Sequence, residues 1–443
     1  MADRPGVAAA AGEALSEAVR GRWAKAGKQA GVLGVAVGVV AAGAVAGVAA
    51  ERLTVGRSIR RRAQLALDVA GPYGSLRGTP GTVVAEDGTV LSYETDPAEA
   101  YGAGADGAGA AQVGPGQRVL GALGLGHPRV DTGTGQAPSR PPLTAVFCHG
   151  YALNQDSFHF QRQALRGRVR SIYWDQRSHG RSQRGVTQGD GTPATIDELG
   201  RDLKAVLDAA VPEGPVVLVG HSMGGMTIMA FADQFPEFVR ERVAGVAFLG
   251  TTAGGLGTVT FGLPAAGART LHRVAPGVLR ALGNQVDLVE RGRRAASEVL
   301  TSLVKRYSFG SRDVDPAVVR FAQRMLESTP IDVVAEFYPA FAAHEKTEAL
   351  AHLDGIPVLI LAGERDLITP LDHSAAIAAQ LPGAELVPVK DAAHMALLER
   401  PELVNAHLAG LLVRAADRAG AALPEPIRAL AATVSAGARP PDA

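Results

Sequence analysis

The sequence predicts an α/β protein built on a mostly parallel sheet, and three observations carry that reading. From Leu143 onward, short apolar runs alternate with amphipathic helical stretches. The runs are nearly uninterrupted, which suits strands buried on both faces and linked by crossovers. One of them, Pro215-Val216-Val217-Leu218-Val219, leads straight into Gly220-His221-Ser222-Met223-Gly224-Gly225 and then a helix-forming stretch. A bare G-x-S-x-G arises by chance in many chains. Set between a buried strand and a helix, it is a tight turn that pushes the Ser222 hydroxyl into a pocket and makes it a candidate nucleophile. Gly220 and Gly224 allow the turn where strand and helix backbones crowd.

The elements follow in order. Residues 1–30 form a polar, Ala-rich lead carrying Arg20, Arg22, Lys25 and Lys28, and residues 31–50 are uncharged. A run of roughly twenty such residues is the length needed to cross a bilayer. Gly34 with Gly38, and Gly43 with Gly47, repeat the spacing that lets helices approach in lipid. The segment is read as a transmembrane helix, ahead of a buried Ala-rich helix or a signal peptide. The expected localisation is therefore a single-pass, membrane-associated protein of a bacterial cell membrane, with its orientation left open by basic residues on both flanks. Residues 51–80 are a linker. Thr82–Ala85 and Thr89–Tyr93 flank Glu86-Asp87-Gly88, a hairpin signal. Residues 97–142 are Gly/Ala/Pro-rich and read as a flexible insertion within the first part of the core, 81–260.

The core strands are the runs Leu143–Cys148, Val169–Trp174, Val216–Val219, Val243–Leu249, Pro357–Ala362 and Glu385–Val389. Thr195 and Glu198 form a capping-box start for a helix through Ala209. Residues 261–350 break the alternation with consecutive helical stretches, among them Val286–Tyr307 and Pro316–Glu327, and read as a helical cap. Residues 351–420 complete the core, with a last helix after Pro401. Residues 421–443 are an Ala/Pro-rich tail, partly disordered from Leu423 in this reading.

Composition narrows the function. The 443 residues are 47% hydrophobic and 20% charged with no net charge, so no basic face advertises nucleic acid. The one cysteine, Cys148, permits no intrachain disulfide and makes thiolate metal sites implausible. It lies inside a strand and reads as a small buried apolar residue. No metal site, phosphate loop or dinucleotide motif is present, so no cofactor is expected; oligomeric state is not readable.

A serine hydroxyl needs a positioned base, and the base needs a carboxylate to fix its tautomer. The run ending at Ala362 continues as Gly363-Glu364-Arg365-Asp366, which puts Asp366 after a buried strand. The run ending at Val389 continues as Lys390-Asp391-Ala392-Ala393-His394, which puts His394 after the last strand. The loop after Leu249 offers no acid, so Asp366 is preferred. Glu364 and Asp391 are read as loop carboxylates, and His221, adjacent to Ser222, as structural. The two oxyanion donors are expected to be the backbone N–H groups of Met223, at a helix start, and of Tyr151, in the His149-Gly150-Tyr151 turn. The Asp175–Ser182 loop is expected to pin that region.

These pieces resemble the α/β-hydrolase fold family. The resemblance rests on His149-Gly150-Tyr151, the Asp175–Ser182 loop, the Gly220–Gly225 elbow, Gly363-Glu364-Arg365-Asp366 and Ala393-His394, and spans about 82–412 apart from the insertion. It implies an eight-stranded sheet with a helical cap and a triad of Ser222, Asp366 and His394. Serine rather than aspartate at the elbow argues against epoxide hydrolase and haloalkane dehalogenase chemistry. The resulting expectation is a serine hydrolase of carboxylic esters, lipid-like or medium-chain, with Phe337, Tyr338 and Phe341 lining an acyl pocket or, alternatively, packing the cap onto the core. Other triad chemistry competes: a cofactor-free perhydrolase, a C–C hydrolase, a thioesterase or a peptidase. A reading of another class is a catalytically silent membrane-bound interaction protein.

Overall fold

The computed structural model describes residues 73–98, 142–189, 192–283 and 297–437. Eight strands form one sheet: β1 (Thr79–Val84), β2 (Val90–Asp96), β3 (Thr144–Cys148), β4 (Arg170–Trp174), β5 (Val216–His221), β6 (Val243–Leu249), β7 (Val358–Gly363) and β8 (Glu385–Val389). Their spatial order is β1-β2-β4-β3-β5-β6-β7-β8. The first two strands form the expected hairpin, and β2 also meets β4 antiparallel; every other pairing is parallel. Both edge strands carry a proline, Pro80 in β1 and Pro388 in β8.

Among the described residues the α-helices longer than one turn are α1 (His159–Leu165), α2 (Ile196–Ala210), α3 (Met223–Gln234), α4 (Pro236–Arg242), α5 (Ala265–Gly283), α6 (Ser297–Ser308), α7 (Pro316–Ser328), α8 (Ile331–Ala343), α9 (Leu371–Gln380), α10 (Pro401–Ala419) and α11 (Glu425–Gly437). Thr195 caps α2 with the full capping box that its sequence announces. Successive strand residues point to opposite faces, so the core divides in two. Ala145 and Phe147 of β3 pack with Leu408, Leu411 and Leu412 of α10. Val146 and Cys148 pack on the other face with Leu203, Val206 and Leu207 of α2 and Ile228, Met229 and Phe231 of α3.

Parallel pairing sets where the loops go. Cys148 is in register with Trp174 and Gly220, His221 with Leu249, and Gly363 with Val389. These strands therefore end along one edge, and every loop that follows them emerges there, the usual place for a ligand site in an open α/β sheet. The four helices α5 to α8 fall between β6 and β7.

Several expectations need amending. Among the described residues no helix is long and apolar enough to cross a membrane, and this overturns the single-pass membrane localisation. The apolar segment 31–50 and the lead before it lie outside the described residues, as do most of the linker 51–80 and most of the insertion 97–142. The stretch 286–307 is helical over Ser297–Ser308, its first part lying outside the described residues. The tail 421–443, expected to be partly disordered, is helical over Glu425–Gly437 (α11), and its last six residues lie outside the described residues. Its Ile427 is wholly buried with Leu430 and Ala431 beside it, spacing that puts one apolar face against α10.

Candidate active site

Ser222 follows β5 and precedes α3 with φ 52° and ψ −117°, a conformation costly for a residue with a Cβ. The surroundings impose it. A Cβ on Gly224 would lie 1.9 Å from the Cys148 carbonyl oxygen, and one on Gly220 would lie 2.6 Å from the Gly224 backbone. Neither approach is possible for any other residue type, which is the physical content of the two glycines. The elbow is also tied down by hydrogen bonds: Ser222 N–H donates to Leu249 O (2.9 Å) and Thr251 Oγ1 donates to Ser222 O (2.7 Å). Ser222 keeps 7% of its surface exposed in an otherwise packed turn.

Asp366 and His394 meet at the same edge. His394 Nδ1 and Asp366 Oδ2 are 2.8 Å apart, so the proton on Nδ1 points at the carboxylate and Nε2 is left free to accept one. Asp366 Oδ1 accepts from the Ile368 and Thr369 N–H groups at 2.8 and 3.0 Å, and Thr369 Oγ1 donates to Oδ2 at 2.8 Å. Burial pushes this carboxyl up, but the facing His394 and the converging donors outweigh burial and hold it below the usual carboxylate range. His221, read from the sequence as structural, reaches the loop that carries His394. Its Nε2 donates to the His394 carbonyl (3.0 Å), and the two rings lie 4.9 Å apart, which sets His394 beside the elbow.

Tyr151 and Met223 both flank the elbow and share one apolar cluster. Among the described residues, neither backbone N–H has an acceptor. The neighbouring groups are all engaged. His149 Nδ1 donates to Gly150 O (2.8 Å), Gln176 N–H donates to His149 Nε2 (3.0 Å), and Ala152 N–H donates to His179 Nε2 (3.2 Å). Asp175 accepts from Gln155 N–H (2.8 Å) and Arg181 N–H (3.0 Å). The Asp175–Ser182 loop thus does pin the loop after β3. Burial holds His149 down to about 4 and His179 to about 3, so both are neutral acceptors at neutral pH. Cys148 is buried, receives the Trp174 indole N–H at 3.3 Å, and is pushed up to about 12, far from a reactive thiolate.

The three aromatic residues of α8 separate. Phe337 is wholly buried, edge-on to His179 at 4.9 Å. Phe341 meets Tyr151 edge-on at 4.8 Å. Tyr338 faces away, toward Phe261, Leu263, Leu271 and Ala275. Sequence reasoning missed Thr369, Thr251 and Glu399, the last accepting N–H groups from Gly310, Ser311 and Ala393 next to His394. Only Thr369 left a local trace, as a hydroxyl three residues after an aspartate on a loop. Glu364 and Asp391 are loop residues, Asp391 pairing with Arg365. Among the described residues no group of three or more His, Cys, Asp or Glu is placed to hold a metal ion.

A family model described as the alpha/beta hydrolase fold matches residues 145–401, more than half of the chain. The AB hydrolase superfamily protein YisY of Bacillus subtilis is 26% identical over 268 residues, 60% of this chain and 89% of YisY. A thermophilic esterase from Thermogutta terrifontis superposes with a TM-score of 0.52 at 22% identity, over 76% of this chain and 98% of the esterase. The enol-lactonase from Burkholderia xenovorans LB400 does so with a TM-score of 0.51 at 20% identity, over 75% of this chain and 100% of the lactonase. At these identities the structural likeness speaks to the fold.

Proposed function

The chain belongs to the α/β-hydrolase fold family, and from that premise we propose that it is a serine hydrolase acting on carboxylic esters through an acyl-Ser222 intermediate. The observation that carries this reading is the 2.8 Å pairing of His394 Nδ1 with Asp366, which leaves Nε2 free to act as a base, at the same sheet edge as a serine held in a strained turn. In the first half-reaction His394 Nε2 takes the Ser222 proton as Oγ attacks the ester carbonyl. The oxygen of the tetrahedral intermediate lies against the N–H groups of Tyr151 and Met223. His394 then gives its proton to the leaving alkoxide, and the C–O bond breaks. In the second half-reaction His394 takes a proton from water, the hydroxide attacks the acyl-serine, and the proton returns to Ser222 Oγ as the acid departs. Asp366 stays ionised throughout and stabilises the charged imidazole.

General acid–base work of this kind contributes about 10²–10⁴-fold, and one oxyanion donor about 10²–10³-fold. Naming of related folds as an esterase and a lactonase is in keeping with an ester substrate. Helices α5 to α8 then act as the cap that shapes the acyl pocket, with Phe341, at the exposed side of the aromatic cluster, as its candidate wall.

The test is labelling with a fluorophosphonate probe, alongside hydrolysis of p-nitrophenyl esters. The wild type is expected to take one label and to turn over, and Ser222→Ala to do neither while remaining folded. Undiminished cleavage by Ser222→Ala would falsify the assignment. A folded wild type that takes no label would point instead to a silent binding protein.

A further inference from the structure

Tyr151 stands between two bodies. On the core side its loop is fixed around it: Ala152 N–H is held by His179, Leu153 N–H by Gly150 O (3.2 Å), and Gly150 O also by His149. On the other side its hydroxyl donates to the Val334 carbonyl of α8, and its ring packs against Phe341 and Phe337 of the same helix. That helix is clamped to the core two residues to either side of Val334, where Arg184 pairs with both Asp332 and Glu336. One residue therefore carries an amide free to meet substrate and a side chain bonded to the inserted helices.

We propose that the Tyr151 side chain is a positioning group that transmits the seating of α8 to the oxyanion-binding amide of the same residue. The inference rests on the reading of Ser222 as an acyl-transfer nucleophile. An amide's direction follows from its own backbone torsions. Here the following amide is pinned to His179, and the ring is anchored on Val334. With α8 seated, the torsions at Tyr151 have one solution, and the N–H stays aimed where the oxyanion forms. When α8 lifts, the hydroxyl loses its acceptor, the aromatic contacts open, and the amide is free to turn. Oxyanion stabilisation depends on donors already in place at the moment of reaction. An acyl group that lets α8 seat is thus turned over faster than one that props it open, even where both bind equally.

The test is a cycle of Tyr151→Phe, Arg184→Gln and the double variant, assayed on p-nitrophenyl butyrate with fluorophosphonate labelling of each. Tyr151→Phe keeps the ring and the backbone amide and removes only the bond to Val334. It is expected to lower kcat roughly fivefold to tenfold with KM within about twofold, the pattern of an interaction made in the transition state. Arg184→Gln, which leaves Tyr151 itself unchanged, is expected to lower kcat in the same way. The double variant is expected to be no worse than the poorer single, because both act through one link. Unchanged kcat in both singles, or losses that simply multiply, overturns the coupling. Should Tyr151→Phe fail to fold, Arg184→Gln alone decides: a fall in kcat at unchanged KM supports the link and an unchanged kcat overturns it. A wild type that neither labels nor hydrolyses the ester overturns the nucleophile reading itself, and the coupling with it.

Discussion

At the scale of single residues, Ser222 holds a conformation that the chain would not choose. Its positive φ is tolerated because two glycines and a threonine hydroxyl leave the turn no alternative. The cost of such a conformation is on the order of 1–3 kcal/mol. Ser222→Gly should relieve part of it where Ser222→Ala cannot. Both variants are expected to be inactive, and Ser222→Gly to be more stable than Ser222→Ala by about 1 kcal/mol in urea unfolding. Equal midpoints would mean that the turn stores no strain. Asp366→Asn reverses the hydrogen bond to His394 Nδ1 and favours the wrong tautomer. It is expected to lower kcat by about 10³–10⁴-fold with little change in KM. A loss under tenfold would argue that another carboxylate orients the histidine. The linkage sign also follows from the lowered carboxyl. Its contribution to stability is present above the unfolded value of about 4 and is lost as pH falls through the lower folded value.

Among the elements, α8 and α11 separate what a sequence reveals from what it withholds. The strands that end at Cys148, His221, Gly363 and Val389 were legible because burial on both faces leaves continuous apolar runs. The loops carrying Asp366 and His394 were legible for the same reason, since a strand's end fixes where its loop starts. The roles along α8 were not. Phe337, Tyr338 and Phe341 fall on different sides of one helix, and which side meets the core depends on how the inserted helices dock. Thr251 and Glu399 act across distances in sequence that no local pattern encodes. Phe337, wholly buried, is expected to cost about 3–5 kcal/mol on truncation to alanine, read as a lower unfolding midpoint. A cost near zero would put it in an open pocket instead. Helix α11 read as a loose tail because alanine and proline dominate its composition and hide a short apolar stripe. Ending the chain after Leu423 should uncover the face of α10 on which Ile427 sits. Melting temperature is expected to drop by several degrees with kcat intact, and an unchanged melt would show that α11 contributes nothing.

At the scale of the whole molecule, three buried histidines, His149, His179 and His221, surround the site as neutral acceptors and donors. Burial holds them down to about 4, 3 and 3. In the unfolded chain each would titrate near 6.5, so below that pH the unfolded state binds more protons than the folded one. Stability is therefore fully present above about pH 6.5 and declines as the pH falls toward the folded values, by up to about 4 kcal/mol per pH unit while all three remain neutral in the fold. Urea midpoints measured between pH 7 and pH 4.5 should show the decline, and His179→Gln should flatten it in part, because His159 and His344 are held down by burial as well. A flat profile in the wild type would mean that these rings already take protons in the folded state. The sheet's two outermost strands have a consequence for how molecules meet. Pro80 and Pro388 each delete a donor from a free margin of the sheet. An incoming strand would find a broken row of hydrogen-bonding groups at either end, so crowded copies of this chain are guarded against stitching their sheets together into a continuous ribbon.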